Sequence, residues 1–219
     1  MINGASIFKA LLKHNLQGSY EWQNYDDFSK FLALLIGQNT KWQNTQKALK
    51  NVEIPISNSI NKLALIDVKE LAELIKASGF YNTKAKKISD LARAIVNDFS
   101  SFDDFINNAS FDWIMDIKGI GFDTALMLSN FLLKKPIFVV NSNAKRFLEL
   151  LGYEFNNYEE AIDIIASGLD DEYFYKALNT QDLSYIYMIF AASIDNLMQN
   201  HYKNKQFDEI GLKVLKELE

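Results

Sequence analysis

Residues 117–125 read IKGIGFDTA: Gly119 and Gly121 stand either side of one isoleucine, and the apolar stretch ALMLSNFLL runs on from 125. The segment before the turn, FDWIMDI (111–117), and the one after it, TALMLSNFLLK (124–134), both carry apolar residues at helical spacing, so KGIGF is read as the hairpin between two helices. Glycine permits positive φ and leaves no side chain in the way. Successive backbone N–H groups can then converge on an anion at the start of the second helix, where the partial positive charge of the helix adds its pull. Such a pocket suits a phosphate, with Lys118 at its tip as a further charge. The competing reading of the same turn is close packing of two helices with no ligand.

Outward from the turn the same spacing recurs almost everywhere, as in SIFKALLKHNL, DDFSKFLALLIGQ, AKKISDLARAIVNDF and LSYIYMIFAASIDNLMQ. Only PIFVV (136–140) reads as a strand. The expectation is an all-α protein of about ten helices with short connections. At 219 residues and 48% hydrophobic content the chain can bury a proper core. It has two prolines and no Gly/Ser-rich run that would divide it into independent domains.

The absence of cysteine excludes a disulfide, a thiolate zinc site and an iron–sulfur cluster, and only His14 and His201 offer imidazole. No cofactor and no metal are expected. The N-terminal stretch lacks an export pattern and no segment approaches a membrane-spanning length, so the expectation is a cytoplasmic protein without membrane attachment. A net charge of −5 argues mildly against nucleic acid. Lys84, Lys86, Lys87 and Arg93 cluster, however, as do Lys134 with Lys135 and Lys145 with Arg146, while acids crowd 154–172. This pattern fits one basic face on an acidic body, or a set of solvated helix faces.

Four segments in chain order carry a resemblance. Ile117, Gly119, Ile120 and Gly121 match the helix-hairpin-helix motif of a hydrophobic residue, any residue, Gly, hydrophobic, Gly. Upstream stand LLIGQNTKW (34–42) and ASGFYNTKAKKI (77–88), and downstream KKPIFVVNSNAKRF (134–147). Together, over roughly residues 30–150, they resemble the helix-hairpin-helix (HhH-GPD) DNA glycosylase superfamily, the endonuclease III-like repair enzymes. The resemblance implies a two-lobed all-α fold. One six-helix-type lobe would cover roughly 28–135 and end in the hairpin; 1–27 and 136–219 would form the other. It also implies double-stranded DNA as partner, action as a monomer, and use at the bacterial nucleoid.

The β-lyase members of the superfamily place a Schiff-base lysine two residues after the second glycine, where this sequence has Asp123. That points to monofunctional base removal. Within the superfamily, IGQNTKW, SGFYNTKAKKI, IKGIG, VVNS and the C-terminal NHYKNKQF are similar to the epsilonproteobacterial 3-methyladenine DNA glycosylase III enzymes. The implied activity is flipping and hydrolysis of alkylated purines such as 3-methyladenine. The carbamylated lysine of that group would correspond to Lys203, in His201-Tyr202-Lys203; an ordinary surface lysine is the alternative.

The resemblance assigns Gln38 to the gap left by the everted nucleotide, with a glutamine capping a turn as the plain alternative. Lys118, Gly119, Ile120, Gly121 and Lys145 join it as DNA contacts. Tyr20, Trp22 and Trp42 would hold a cationic purine by stacking and cation–π attraction, or else belong to the core. Glu21 stands where the relatives have another aromatic. Asn141 occupies the position of the catalytic aspartate, which opposes the positive charge developing on the deoxyribose. A neutral amide supplies no such charge. The chain is then an inactivated variant, a natural protein of reduced activity, or one in which another acid substitutes; Asp123 is the candidate, with a solvated helix-start aspartate as its plain reading. A catalytically impaired damaged-DNA-binding protein of the same fold is therefore the second functional reading, and a helical protein-interaction scaffold the third.

Overall fold

The computed structural model describes residues 2–219, and among them the chain folds as fourteen α-helices, one short 3₁₀ turn, one π-helical turn and a two-stranded hairpin. The expected all-α class is what forms. Helix starts follow side-chain chemistry: Asp26, Ser59, Asp67, Ser101, Ser110 and Asp208 each accept from a backbone N–H in the first turn of the helix they open. The chain forms two compact units, residues 21–133 and residues 1–20 with 134–219.

The contiguous unit holds α2 (Asp27–Ile36), α3 (Trp42–Ile56), α4 (Ile60–Leu65), α5 (Val68–Leu74), the 3₁₀ turn Lys76–Ser78, α6 (Tyr81–Asp98), α7 (Phe102–Asn108), α8 (Phe111–Asp116), α9 (Phe122–Met127) and the π-helical turn Leu128–Leu132. α6 is its axis, with α4 and α5 packed along it through Ala85, Ile88, Leu91, Ala92 and Ile95. A second cluster sets Phe28, Phe31, Phe99, Phe102, Phe105 and Trp113 edge-on or tilted, with several centroid separations between 4.9 and 5.7 Å. Each fully buried ring of this kind contributes roughly 1.5–3 kcal/mol through its removal from water.

The other unit is built from α1 (Gly4–Lys13), α10 (Ser142–Leu150), α11 (Tyr158–Ala166), α12 (Glu172–Ala177), α13 (Leu183–His201), the strands β1 (Tyr202–Lys203) and β2 (Gln206–Phe207), and α14 (Glu209–Leu218). α13 is apolar nearly all round, and α1, α10, α12 and α14 pack on it. Phe8 stacks between Phe174 and Phe190 at 5.1 and 4.7 Å, and Phe138 meets Phe190 at 5.3 Å.

Two expectations need correction. PIFVV forms no strand and has no ladder partner; Phe138, Val139 and Val140 are apolar because they plug the core beneath α13, and the strands lie instead in the 202–207 segment. Of the two readings of the α6 cations, a basic face or solvated helix faces, neither holds for Lys84. Lys84 is only 7% exposed, Lys86 pairs with Asp90 at 2.9 Å, and Arg93 donates to the Ala64 carbonyl. Among the described residues no helix is long and apolar enough to cross a membrane.

Candidate active site

The glycine turn is open. α8 ends at Asp116, the Ile120 N–H closes a tight turn on the Ile117 carbonyl at 3.0 Å, and Gly119 adopts φ +88°, a left-handed conformation that glycine takes without strain. Gly121 caps α9 in extended backbone. Lys118, Gly119 and Gly121 are exposed, a Cβ at either glycine would meet nothing within 4 Å, and Ile120 between them anchors the turn in the core. An exposed pair of bare peptide units at a helix start is what contact with an anion requires.

Gln38 lies in the turn between α2 and α3, beside Asn39 at φ +52°. Its Nε2 donates to the hydroxyl of Thr124, in the first turn of α9, at 2.9 Å, and its Oε1 accepts from Lys87 Nζ at 3.2 Å. The glutamine turn is therefore tied to the helix that follows the glycines. Beneath it Lys84 Nζ donates to the Ile36 carbonyl, the Thr40 hydroxyl and the Ser78 carbonyl at 2.8, 2.6 and 2.9 Å. Burial, with the Lys87 charge beside it, pulls the Lys84 ammonium down to about 8, and burial lowers Lys87 as well. Phe80, at φ +46° immediately after Gly79, stands 78% exposed at the start of α6. The sequence reading passed over it. An aromatic directly after a glycine at a helix start was the available signal.

Of the aromatics assigned to a base pocket, Trp22 is 8% exposed and packs on Phe131 at 5.1 Å, so it serves the core. Trp42 is half-buried, 6.0 Å from Tyr25. Tyr20 donates its hydroxyl to Asp195 at 2.8 Å. Asp123 is exposed in the first turn of α9. Lys145 holds its ammonium 3.3 Å from the centre of the Tyr158 ring, a cation–π contact that occupies the charge expected to face DNA. Lys203 stands exposed on β1, and the neighbouring hairpin is fastened by His201 Nδ1 and Asp208 Oδ2 at 2.9 Å.

Asn141 caps α10: its Oδ1 accepts from the Ala144 N–H at 2.9 Å. That bond orients the amide, and Nδ2 then donates to both oxygens of Asp195 at 3.0 Å. Asn143 Nδ2 donates to the same carboxylate at 2.6 Å. Asp195 lies on α13, and burial pushes its carboxyl up from the ordinary range against the downward pull of Asn143, Tyr20 and Asn141. The sequence reading missed Asp195, although it is the lone charged residue of LSYIYMIFAASIDNLMQN. Among the described residues no three His, Asp or Glu side chains gather as they would around a metal ion.

A sequence profile of the HhH-GPD superfamily of base excision DNA repair proteins matches residues 32–170, from within α2 through the glycine turn to beyond α11. The chain belongs to the HhH-GPD superfamily. Among HhH-GPD relatives, a Methanocaldococcus jannaschii protein provisionally assigned as a DNA repair glycosylase is 27% identical over 170 residues, 74% of this chain and 77% of its own length. The crystal structure of the H. pylori 3-methyladenine DNA glycosylase bound to 1,N6-ethenoadenine superposes with a TM-score of 0.79 at 29% identity, covering 92% of this chain and 100% of that one. A trapped covalent endonuclease III–DNA intermediate shares the fold, with a TM-score of 0.70 at 15% identity over 95% of this chain and 92% of that one.

Proposed function

We propose that this HhH-GPD protein is a monofunctional DNA N-glycosylase that everts alkylated purines such as 3-methyladenine from duplex DNA and hydrolyses their glycosidic bond. The observation that carries the reading is the likeness to the 3-methyladenine enzyme, which extends over 92% of this chain at 29% identity. The site geometry supports it from three sides. The open turn at Gly119–Gly121 is suited to a backbone phosphate, with Lys118 beside it. Gln38 and the exposed Phe80 provide a polar and an apolar side chain of the kind that fills the gap left by an everted nucleotide. The half-buried Trp42 offers an electron-rich face to a cationic base.

Monofunctional chemistry follows from Asp123. A carboxylate forms no Schiff base with the sugar, so water is the nucleophile and the strand stays intact at the abasic site. Lys203, exposed on the hairpin, is assigned no chemical step. The test is single-turnover release of 3-methyladenine from methylated duplex DNA, with alkali added afterwards to reveal abasic sites. Free base with alkali-dependent nicking is expected; nicking without alkali overturns the monofunctional assignment, and no base release overturns the enzyme. Asn141 favours a second reading, a damaged-DNA-binding protein with impaired chemistry. Salt-sensitive binding to methylated duplex without base release is its signature.

A further inference from the structure

Three neutral donors converge on one carboxylate in the unit that contains Asn141. Tyr20 arrives from the segment after α1, Asn141 and Asn143 from the start of α10, and all three donate to Asp195 in α13 at 2.6–3.0 Å. We propose that Asp195 supplies the negative charge of the base-excision reaction, displaced from the start of α10 to the middle of α13 and acting through the Asn141 amide. This rests on the glycosylase reading above, and makes Asp195 a positioning residue.

The first argument is cost. A partly buried carboxylate met only by neutral donors keeps most of its desolvation penalty, and an asparagine or an apolar residue would hold α13 against α10 more cheaply. Charge placed where the fold does not need it marks a functional site. The second is orientation. Because Asn141 Oδ1 is committed to the Ala144 N–H, its NH₂ group must face Asp195, so the carboxylate polarises the amide at the position that the sequence resemblance assigns to the catalytic acid. The third is compatibility. An aspartate at 141 would set two carboxylates about 3 Å apart, where they must share a proton. The asparagine lets Asp195 alone carry the charge.

In the reaction the C1′–N bond breaks with its electron pair leaving on the purine nitrogen, which turns a cationic alkylated base into a neutral one. The sugar carries the positive charge until a water oxygen bonds to C1′ and releases its proton to solvent. The full negative charge of Asp195, in surroundings of low dielectric, opposes the sugar cation throughout.

Most charged groups on the elements packed against α13 pair with one another rather than with Asp195, and Lys216 on α14 is exposed. On α1, Lys9 pairs with Asp171, and Lys13 and His14 face Glu217. On α10, Lys145 covers Tyr158 and Arg146 meets Glu149 and Tyr202. Lys176 pairs with Glu172 on α12 and Lys213 with Glu209 on α14, while His201 pairs with Asp208 and Lys203 is exposed. An acid limb that is present in the unaltered protein and lost in Asp195→Asn would therefore report Asp195.

The experiment compares the unaltered protein, Asp195→Asn and Asn141→Asp in single-turnover release of 3-methyladenine and 7-methylguanine from methylated duplex DNA between pH 4 and 9, with thermal melts alongside. Asp195→Asn is expected to lower release about 100-fold or more, the scale of a lost electrostatic contact. Its melting temperature should be unchanged or raised, and its acid limb lost. Asn141→Asp should move the acid limb to higher pH, as two carboxylates come to share one proton. Release by Asp195→Asn within about threefold of the unaltered protein overturns the inference while leaving the glycosylase reading standing. So does a variant that melts early yet keeps the acid limb, because that describes a prop for the fold. If the unaltered protein releases no base, both readings fall.

Discussion

Gln38 and Thr124 are joined side chain to side chain at 2.9 Å, with Lys87 reaching both at 3.2 and 3.4 Å. The residue expected to enter the gap in DNA is thus parked on the helix that begins at the glycine turn. Its release exchanges one neutral and one charge-assisted hydrogen bond for others, at a net cost of about 2 kcal/mol, small enough for DNA contacts to offset. Gln38→Ala should change unfolding free energy by no more than about 2 kcal/mol yet lower base release about tenfold. The pair of measurements is urea unfolding and single-turnover release. Lost stability with unaltered release would make Gln38 a brace for α9.

Lys84 ties the glutamine turn to the Ser78 carbonyl, just before Phe80. Lys84→Met removes the donor for two backbone carbonyls and one hydroxyl and should destabilise the protein by about 3 kcal/mol. The pH dependence has a definite sign. With a folded value of about 8 against the ordinary lysine value of 10.5, the unfolded chain binds more protons between those limits. Stability of the unaltered protein relative to Lys84→Met should therefore rise as pH climbs from 8 towards 10.5. Urea titrations across that range would settle it; a flat difference would show that the three acceptors hold the ammonium as firmly as water does.

The two glycines of the turn separate strain from access. Gly119→Ala places a side chain at φ +88° and should cost about 1 kcal/mol of stability. Gly121→Ala meets neither strain nor a neighbour, since its backbone is extended and the space beside it is open. It should lower stability only by the roughly 0.5 kcal/mol of a poorer helix cap and weaken duplex binding several-fold, because the new methyl group stands where a phosphate would approach. Fluorescence anisotropy at two salt concentrations is the readout. Undiminished binding by Gly121→Ala would remove the turn from the DNA contact surface.

Gly18 is a different kind of glycine. A Cβ there would run into the backbone of Ala192 and Ser193, and the Gly18 N–H donates to the Ser193 hydroxyl at 2.9 Å. Gly18→Ala must push the 16–20 segment off α13 and draw Tyr20 away from Asp195. A loss of roughly 2 kcal/mol or more is expected. Base release should fall with it, while Tyr20→Phe, which removes only one donor, should have the smaller effect on stability.

Most of the helices were legible in the sequence because their caps and apolar stripes agree, as with Asp26 before FSKFLALLI and Ser110 before FDWIMDI. The strand at PIFVV was misread because a short run of β-branched and aromatic residues looks the same in a ladder and in a buried extended plug. The lysines of α6 misled for a subtler reason. Lys84 shares a helical stripe with Ile88, Leu91 and Ile95, which are all buried, so its place on that stripe foretold burial, which neither reading of the cluster included. Its partners are backbone carbonyls, which leave no trace in composition.

The site was legible in part. Gln38, Asn141 and the glycine turn could be found from motif spacing, whereas the partner of Asn141 lies 54 residues further on, in a helix whose apolar character drew attention away from its single acid. Trp22 illustrates the reverse. A tryptophan beside Tyr20 reads as a recognition surface, yet the indole lies against Phe131. Aromatic residues are too frequent in this chain for adjacency to separate the two roles.

The unit that carries Asp195 is assembled from both ends of the described chain, with α1 packed against α11, α13 and α14. During synthesis the first helix must wait, with Ile7, Phe8 and Leu11 unshielded, while the whole of 21–133 emerges and closes on itself. α13 and α14 then complete its burial, so the carboxylate cluster becomes organised only after α13 has been made, more than 170 residues after Tyr20.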